Sequence, residues 1–252
     1  MSCTVMTPAR IRRAVRAAPA ADPTTAPTRI LDHDHPDVRR FLRSIDREAG
    51  PRERDPQEYL RAAHRRIRDA IRPVYSMADT RSVSGTLRRG RGSCSQRFAV
   101  LEAAARARGI PTRSRGLVMD GEFWYPRFPM LRRAVPRFVL LAWPELRLDG
   151  EWVSVTRALA GPGRADAGPS FGNAGAETLF DAVGRGAADW RAAGVQGCAC
   201  DDAAFARFVR RDLGTHSSRD ELFARYGQNL PGPVRLAVEP LFGRWSAGAT
   251  SR

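Results

Sequence analysis

The chain has 252 residues, of which 42% are hydrophobic, enough for a sizeable core in one domain with extensions. The formal charge is +15, and every one of the 42 basic residues is arginine. The longest apolar run, Phe138 to Trp143, is far too short to cross a bilayer. The arginines are spread along the chain instead of forming one tract, which weighs against nucleic acid and leaves an acidic partner protein as the expected macromolecular contact.

Residues 1–28 are rich in Ala, Pro, Thr and Arg without a sustained period, which predicts a flexible arm. Arg10, Arg12, Arg13 and Arg16 are not followed by an apolar segment, so no secretory leader is expected. His33, Asp34 and His35 are metal-ligand types, but their place before Pro36 reads better as a helix cap. Asp55-Pro56-Gln57-Glu58 is a strong helix start, with a cap, a proline at the first position and a glutamate three after the cap. Leu60, Ala63, Ile67, Ile71 and Val74 follow on one helical face. Residues 77–91 are polar and glycine-rich and predict a loop.

A second helix is expected from Cys94 to a stop at Gly109. Strands are predicted over 112–119, 138–148 and 151–156, with Asp149-Gly150 as the turn of a hairpin. Residues 161–175 read as a Gly/Pro-rich linker. Helices are then expected over 176–183, 202–213, 218–226 and 233–242. Four cysteines, at 3, 94, 198 and 200, make no disulfide pattern, and the Cys-x-Cys pair lacks companions for zinc. A reducing, cytoplasmic setting follows, with no metal and no cofactor implied.

Cys94 is the candidate nucleophile. It lies where Gly90-Arg91-Gly92-Ser93 runs into an apolar-periodic helix, and a helix start favours a thiolate through the positive end of the dipole. Arg91 and Arg97 add positive charge nearby. The other reading of such a cysteine is a small buried hydrophobe. Ser95 and Gln96 occupy the first helical turn, where they are candidate substrate or oxyanion contacts, with Trp143 as a third.

Four stretches together carry a resemblance: Gly92-Ser93-Cys94-Ser95-Gln96-Arg97-Phe98, Gly109-Ile110-Pro111-Thr112-Arg113, Ala142-Trp143-Pro144-Glu145-Leu146 and Gly150-Glu151-Trp152-Val153. In this order they resemble the transglutaminase-like superfamily, over roughly residues 57–157. The resemblance implies an α+β fold. Its papain-like core packs a Cys-bearing helix on a small antiparallel sheet, and here a C-terminal helical extension is added. It divides the chain into an arm (1–28), the core (29–160), a linker (161–175) and the extension (176–252). It also implies a Cys–His–Asp triad, but the histidine position holds Leu141 and the aspartate position holds Thr156. No histidine lies between His64 and His216 to stand in by slippage.

The missing base costs a cysteine enzyme about 10²–10⁴-fold. Amide cleavage suffers most, because its leaving group must be protonated, whereas a thiolate leaves a thioester unaided. The expected activity is therefore cysteine-dependent acyl transfer or thioester hydrolysis, on a small-molecule or acyl-carrier-bound substrate, in specialised bacterial metabolism. The alternative is a catalytically inactive binding or scaffold protein.

Overall fold

The structure, a computed structural model, describes residues 6–13, 22–49, 55–160, 171–188, 203–242 and 244. Helix α1 (Ala9–Arg13) buries Ile11 completely. The Thr7 hydroxyl accepts from the Phe138 amide at 3.1 Å, and the Thr28 hydroxyl donates to Asp220 at 2.5 Å. The described parts of the predicted flexible arm are therefore packed against distant chain, because Ile11 and these hydroxyls find buried partners that the local pattern does not announce.

Helix α2 (Pro36–Ala49) begins at a histidine cap, the Asp37 amide donating to His35 Nδ1 at 3.2 Å. No cluster of three or more metal-binding side chains occurs among the described residues. Helix α3 (Pro56–Ala70) starts on its own signals: Asp55 accepts from the Gln57 amide, and Pro56 needs no partner for a missing N–H. Leu60, Ala63 and Ile67 are buried along it.

After α3 the chain forms β1 (Arg72–Pro73), two rungs parallel to β2 (Arg91–Gly92). The predicted loop between them contains helix α4 (Val83–Arg89), capped by Ser82 and closed by Gly90 at φ +57. Capping and a left-handed glycine stop suffice for so short a helix, which is too short for an apolar stripe to show. Helix α5 (Cys94–Ala107) follows at once, and Gly109 at φ +80 turns the chain out of it.

The sheet has the order β5–β4–β3–β6 and is antiparallel throughout. Strand β3 is Thr112–Asp120, β4 is Phe138–Leu148 and β5 is Glu151–Ser154. Asp149 (φ 48) and Gly150 (φ 82) make the β4–β5 turn with both residues left-handed, the geometry that Asp-Gly suits. The predicted third strand stops two residues early. The Ser154 hydroxyl accepts from the Arg157 amide and starts helix α6 (Val155–Leu159).

Beyond the linker region, α7 (Leu179–Gly184) is opened by a Thr178/Asp181 capping box. A short helix α8 (Ala203–Ala206) leads to β6 (Val209–His216), where a helix over 202–213 was expected. The open edge of β3 supplies a ladder of hydrogen bonds, and the charges find partners there: Arg210 meets Asp120 at 3.0 Å and Asp212 meets Arg115 at 2.8 Å. A helical stripe of Phe205, Phe208, Val209 and Leu213 was thus overridden by tertiary pairing. Helices α9 (Arg219–Tyr226) and α10 (Gly232–Phe242) complete the chain's described part. The predicted helical extension therefore contributes an edge strand to the core sheet.

One aromatic cluster joins these layers. Phe98 on α5 lies 6.0 Å from Trp143 on β4 and 5.1 Å from Phe180 on α7. Trp143 meets Phe205 at 5.4 Å, and Phe205 meets Phe123 at 5.4 Å. At such separations aromatic pairs contribute beyond their burial, so α5 is held rigidly against the sheet that forms one wall of the site.

Candidate functional site

Cys94 is the first residue of α5, half-buried, with Ser93 as its cap. Ser93 and Gln96 form a capping box: the Gln96 amide donates to Ser93 Oγ at 3.4 Å and the Ser93 amide to Gln96 Oε1 at 3.1 Å. Gly92 just before it is closely packed: a Cβ there would come within 3.1 Å of Gln96 Oε1 and 3.0 Å of Thr86 Cγ2, so both would have to give way. The β1–β2 rungs and the Val74 amide, donating to the Gly92 carbonyl at 3.1 Å, place Tyr75 beside the thiol.

The thiol opens on a cavity of about 320 Å³. Its walls are overwhelmingly apolar, including Phe128, Leu131, Val139, Leu140, Leu141 and Leu230. Such a volume and lining suit one small or medium apolar group. The polar side chains that interrupt the apolar wall include Ser95, Asp79, Tyr75, Arg127 and Asn229. Burial pushes the Tyr75 phenol above its usual range, against the lowering pull of Arg127, so it stays a neutral donor beside Cys94. Arg127 is anchored by Asn173 Oδ1 at 3.0 Å and by the Gly175 and Glu177 carbonyls.

Asp79 is nearly inaccessible to solvent, at 7% exposure, and yet lines this cavity. Burial drives its proton affinity up. The Ser95 hydroxyl, the charge of Arg219 and Asn229 pull it back, without reversing the direction. Asn229 Nδ2 donates to Asp79 at 3.1 Å and to the Leu140 carbonyl at 2.9 Å, while its own Oδ1 accepts from the Leu140 amide at 2.5 Å. The carboxyl is thereby tied on one side to the residue after Cys94 and on the other to the strand residue before Leu141.

The other sequence-expected residues divide sharply. Ser95 and Leu141 line the cavity with Cys94. Ser95 Oγ also accepts from Arg219 Nη1 at 3.1 Å, and the same guanidinium pairs with Glu102 at 2.5 Å and donates to the Ala142 carbonyl at 3.1 Å. Gln96 does not reach the cavity. Its side chain is used up by the capping box and by donation to Ser76 Oγ (3.0 Å) and the Ala78 carbonyl (2.9 Å). Trp143 is fully buried in the aromatic cluster and is likewise absent from the lining.

Thr156, at the aspartate position, donates to the Ala188 carbonyl at 2.6 Å and binds α6 to the chain after α7. Arg97, expected to stand near the thiol, is instead buried, pairing with Asp181 at 3.2 Å and stacking over Phe180 at 4.3 Å. His216 ends β6 beside Ser114, edge-on to Tyr226 at 5.6 Å, and takes no part in the cavity lining.

Tyr75, Asp79, Arg127 and Asn229 escaped the sequence reading. Tyr75 and Asp79 share the stretch between β1 and α4, Arg127 and Asn229 come from two others, and the Asn229 stretch was read as part of a separate extension. Only the buried Asp79 carried a usable signal, as an acidic residue just before a Ser-capped helix.

Among the described residues no helix is long and apolar enough to cross a membrane. No curated protein and no solved structure matches the chain significantly. The family description that does match is that of the transglutaminase-like superfamily, over residues 43–156. That span runs from α2 through Thr156 and includes Cys94, Leu141 and every strand of the sheet except β6. Cys-bearing helix, antiparallel sheet and matched span agree, and over residues 43–156 this chain matches the transglutaminase-like superfamily.

Proposed function

We propose that this chain is a cysteine acyltransferase or thioester hydrolase: Cys94 takes an apolar acyl group from a thioester and passes it to an amine or to water. The observation that supports this most directly is the thiol itself, at the first position of a capped helix and facing an apolar cavity of about 320 Å³. Helix-terminal amides near Cys94 are suitably placed to stabilise an oxyanion. In the first step the Cys94 sulfur bonds to the acyl carbon and the donor's C–S bond breaks, releasing a thiolate. In the second the acceptor attacks the Cys94 thioester and the cysteine sulfur leaves.

Leu141 at the histidine position favours this chemistry over amide cleavage, since neither step requires protonation of a poor leaving group. The net charge of +15 suits an acyl group delivered on an acidic carrier protein, with a small thioester as the simpler alternative.

The test is intact-mass analysis of the full chain incubated with octanoyl-N-acetylcysteamine. One octanoyl adduct on Cys94, absent in Cys94→Ala, is the expected result. No adduct, or an adduct that persists in Cys94→Ala, refutes the reading. A second reading, a catalytically inactive binding scaffold, is favoured by the two replaced triad positions, Leu141 and Thr156. It predicts that the thioester binds equally well to the wild type and to Cys94→Ala while neither becomes acylated.

A further inference from the structure

We propose that Asp79 is the proton-transferring group of this cavity and does the work of the absent histidine. The proposal rests on the acyl-transfer reading of Cys94. Asp79, Cys94 and Leu141 line one apolar space, and the carboxyl is held from α5 through Ser95 and from β4 through Asn229. Ser95, the neighbour of the thiol, holds one side of it, and Asn229 holds the other while gripping both backbone groups of Leu140. The loop before α4 thus brings a carboxyl to the cavity that Cys94 and Leu141 line.

The environment suits such a group. Burial among apolar walls favours the acid form, while the Ser95 hydroxyl, the charge of Arg219 and the Asn229 amide stabilise the carboxylate. Their opposition leaves a carboxyl that binds a proton more readily than an exposed one, as acid–base work near neutral pH requires. The steps balance. The Asp79 carboxylate accepts the Cys94 thiol proton as the sulfur bonds to the acyl carbon, and the protonated carboxyl returns that proton to the departing donor thiolate. In the second half Asp79 takes the proton of the attacking amine or water and gives it back to the Cys94 sulfur.

Two assays on the full chain separate this proposal from the reading beneath it. The first is octanoyl-N-acetylcysteamine acylation of Cys94, and the second is iodoacetamide alkylation of Cys94, which needs no acyl substrate. Asp79→Asn keeps the size and the hydrogen-bond acceptor. It should slow acylation by about 10²-fold or more, with alkylation at neutral pH slowing alongside.

Unchanged or faster alkylation in Asp79→Asn overturns the proposal, since the carboxyl would then act only as a negative neighbour. If the wild type is never acylated, the acyl reading falls, and Asp79 stands or falls on the alkylation rates alone. Should Asp79→Asn fail to fold, Ser95→Ala decides. Loss of that donor raises the carboxyl's proton affinity, so the acidic limb of the alkylation rate must move to higher pH, and an unmoved limb overturns the proposal.

Discussion

Protonating His64 should loosen the cavity wall that α7 supplies. His64 lies on α3, 6% exposed, with its ring stacked on Phe180 at 4.3 Å and 15°. Its Nε2 donates to the Phe180 carbonyl at 2.8 Å, and Arg97 covers Phe180 from α5 at 4.3 Å. The fit is tight: a Cβ on Gly184 would stand 2.1 Å from His64 Cε1. Burial, the largest cause, pushes the imidazole from 6.5 down to about 4, against the raising effect of the Phe180 hydrogen bond.

At about 1.4 kcal/mol per unit this amounts to about 3 kcal/mol in full. Above the unfolded value of 6.5 both states hold neutral imidazole, and His64 adds no pH dependence. Below it the unfolded chain binds a proton that the folded chain refuses, so stability is lost as the pH falls from 6.5 towards about 4. Between about pH 7 and about pH 4.5 the loss is about 2 kcal/mol. His64→Phe keeps the stack but removes the titrating group and the donor to the Phe180 carbonyl. At neutral pH it should be about 1–3 kcal/mol less stable. Its stability difference between the two pH values should be smaller than that of the wild type by about 2 kcal/mol. Urea unfolding followed by tryptophan fluorescence measures both. An identical pH dependence in the two proteins refutes the argument.

Two further substitutions probe the supports of the site. Gln96→Leu removes the reciprocal half of the α5 capping box and both ties to Ser76 and Ala78, and should cost about 2–4 kcal/mol in urea unfolding. Because those ties hold the stretch bearing Tyr75 and Asp79, its Cys94 acylation should also be slower than that of the wild type; an unchanged rate with lowered stability would show that the loop holds its place without Gln96. Glu145→Gln leaves the buried Arg113 and the half-buried Arg115 without the carboxylate they bind at 2.7 Å each. It should cost about 2–4 kcal/mol, less than a wholly orphaned pair because Arg115 keeps Asp212. Burial alone would raise the Glu145 carboxyl, but the arginine bonds outweigh it and hold it below the usual glutamate range. Its contribution is therefore present at neutral pH and lost as the pH falls through that lowered value, and a variant whose acid sensitivity matches the wild type would contradict this.

Local signals were most legible where one residue type has one physical job. Asp55-Pro56 capped and opened α3, and Asp149-Gly150 turned the hairpin with two left-handed residues. Legibility failed where two structures satisfy the same pattern. The apolar residues between Phe205 and Leu213 fit a helical stripe, and the free edge of β3 made them a strand. Within the site, Cys94 and Leu141 were readable because the motif order places them. Gln96 was a candidate substrate or oxyanion contact, but the hydrogen bonds of its buried side-chain amide leave no atom to spare.

By itself, then, the sequence determined that a helix starting at Cys94 packs with a small antiparallel sheet, and the motif order led to the expectation that Leu141 and Thr156 replace a histidine and an aspartate. These are properties of adjacent residues and of motif order, which act over a few ångströms along one chain segment. Only the tertiary structure decided what surrounds the thiol. It brought Asp79 from before α4, Arg127 from the β3–β4 connection and Asn229 from beyond α9 to a single apolar space. The reason is physical: a buried carboxyl is stable only where donors from elsewhere in the chain converge on it, and that convergence is a product of packing, which no local pattern encodes.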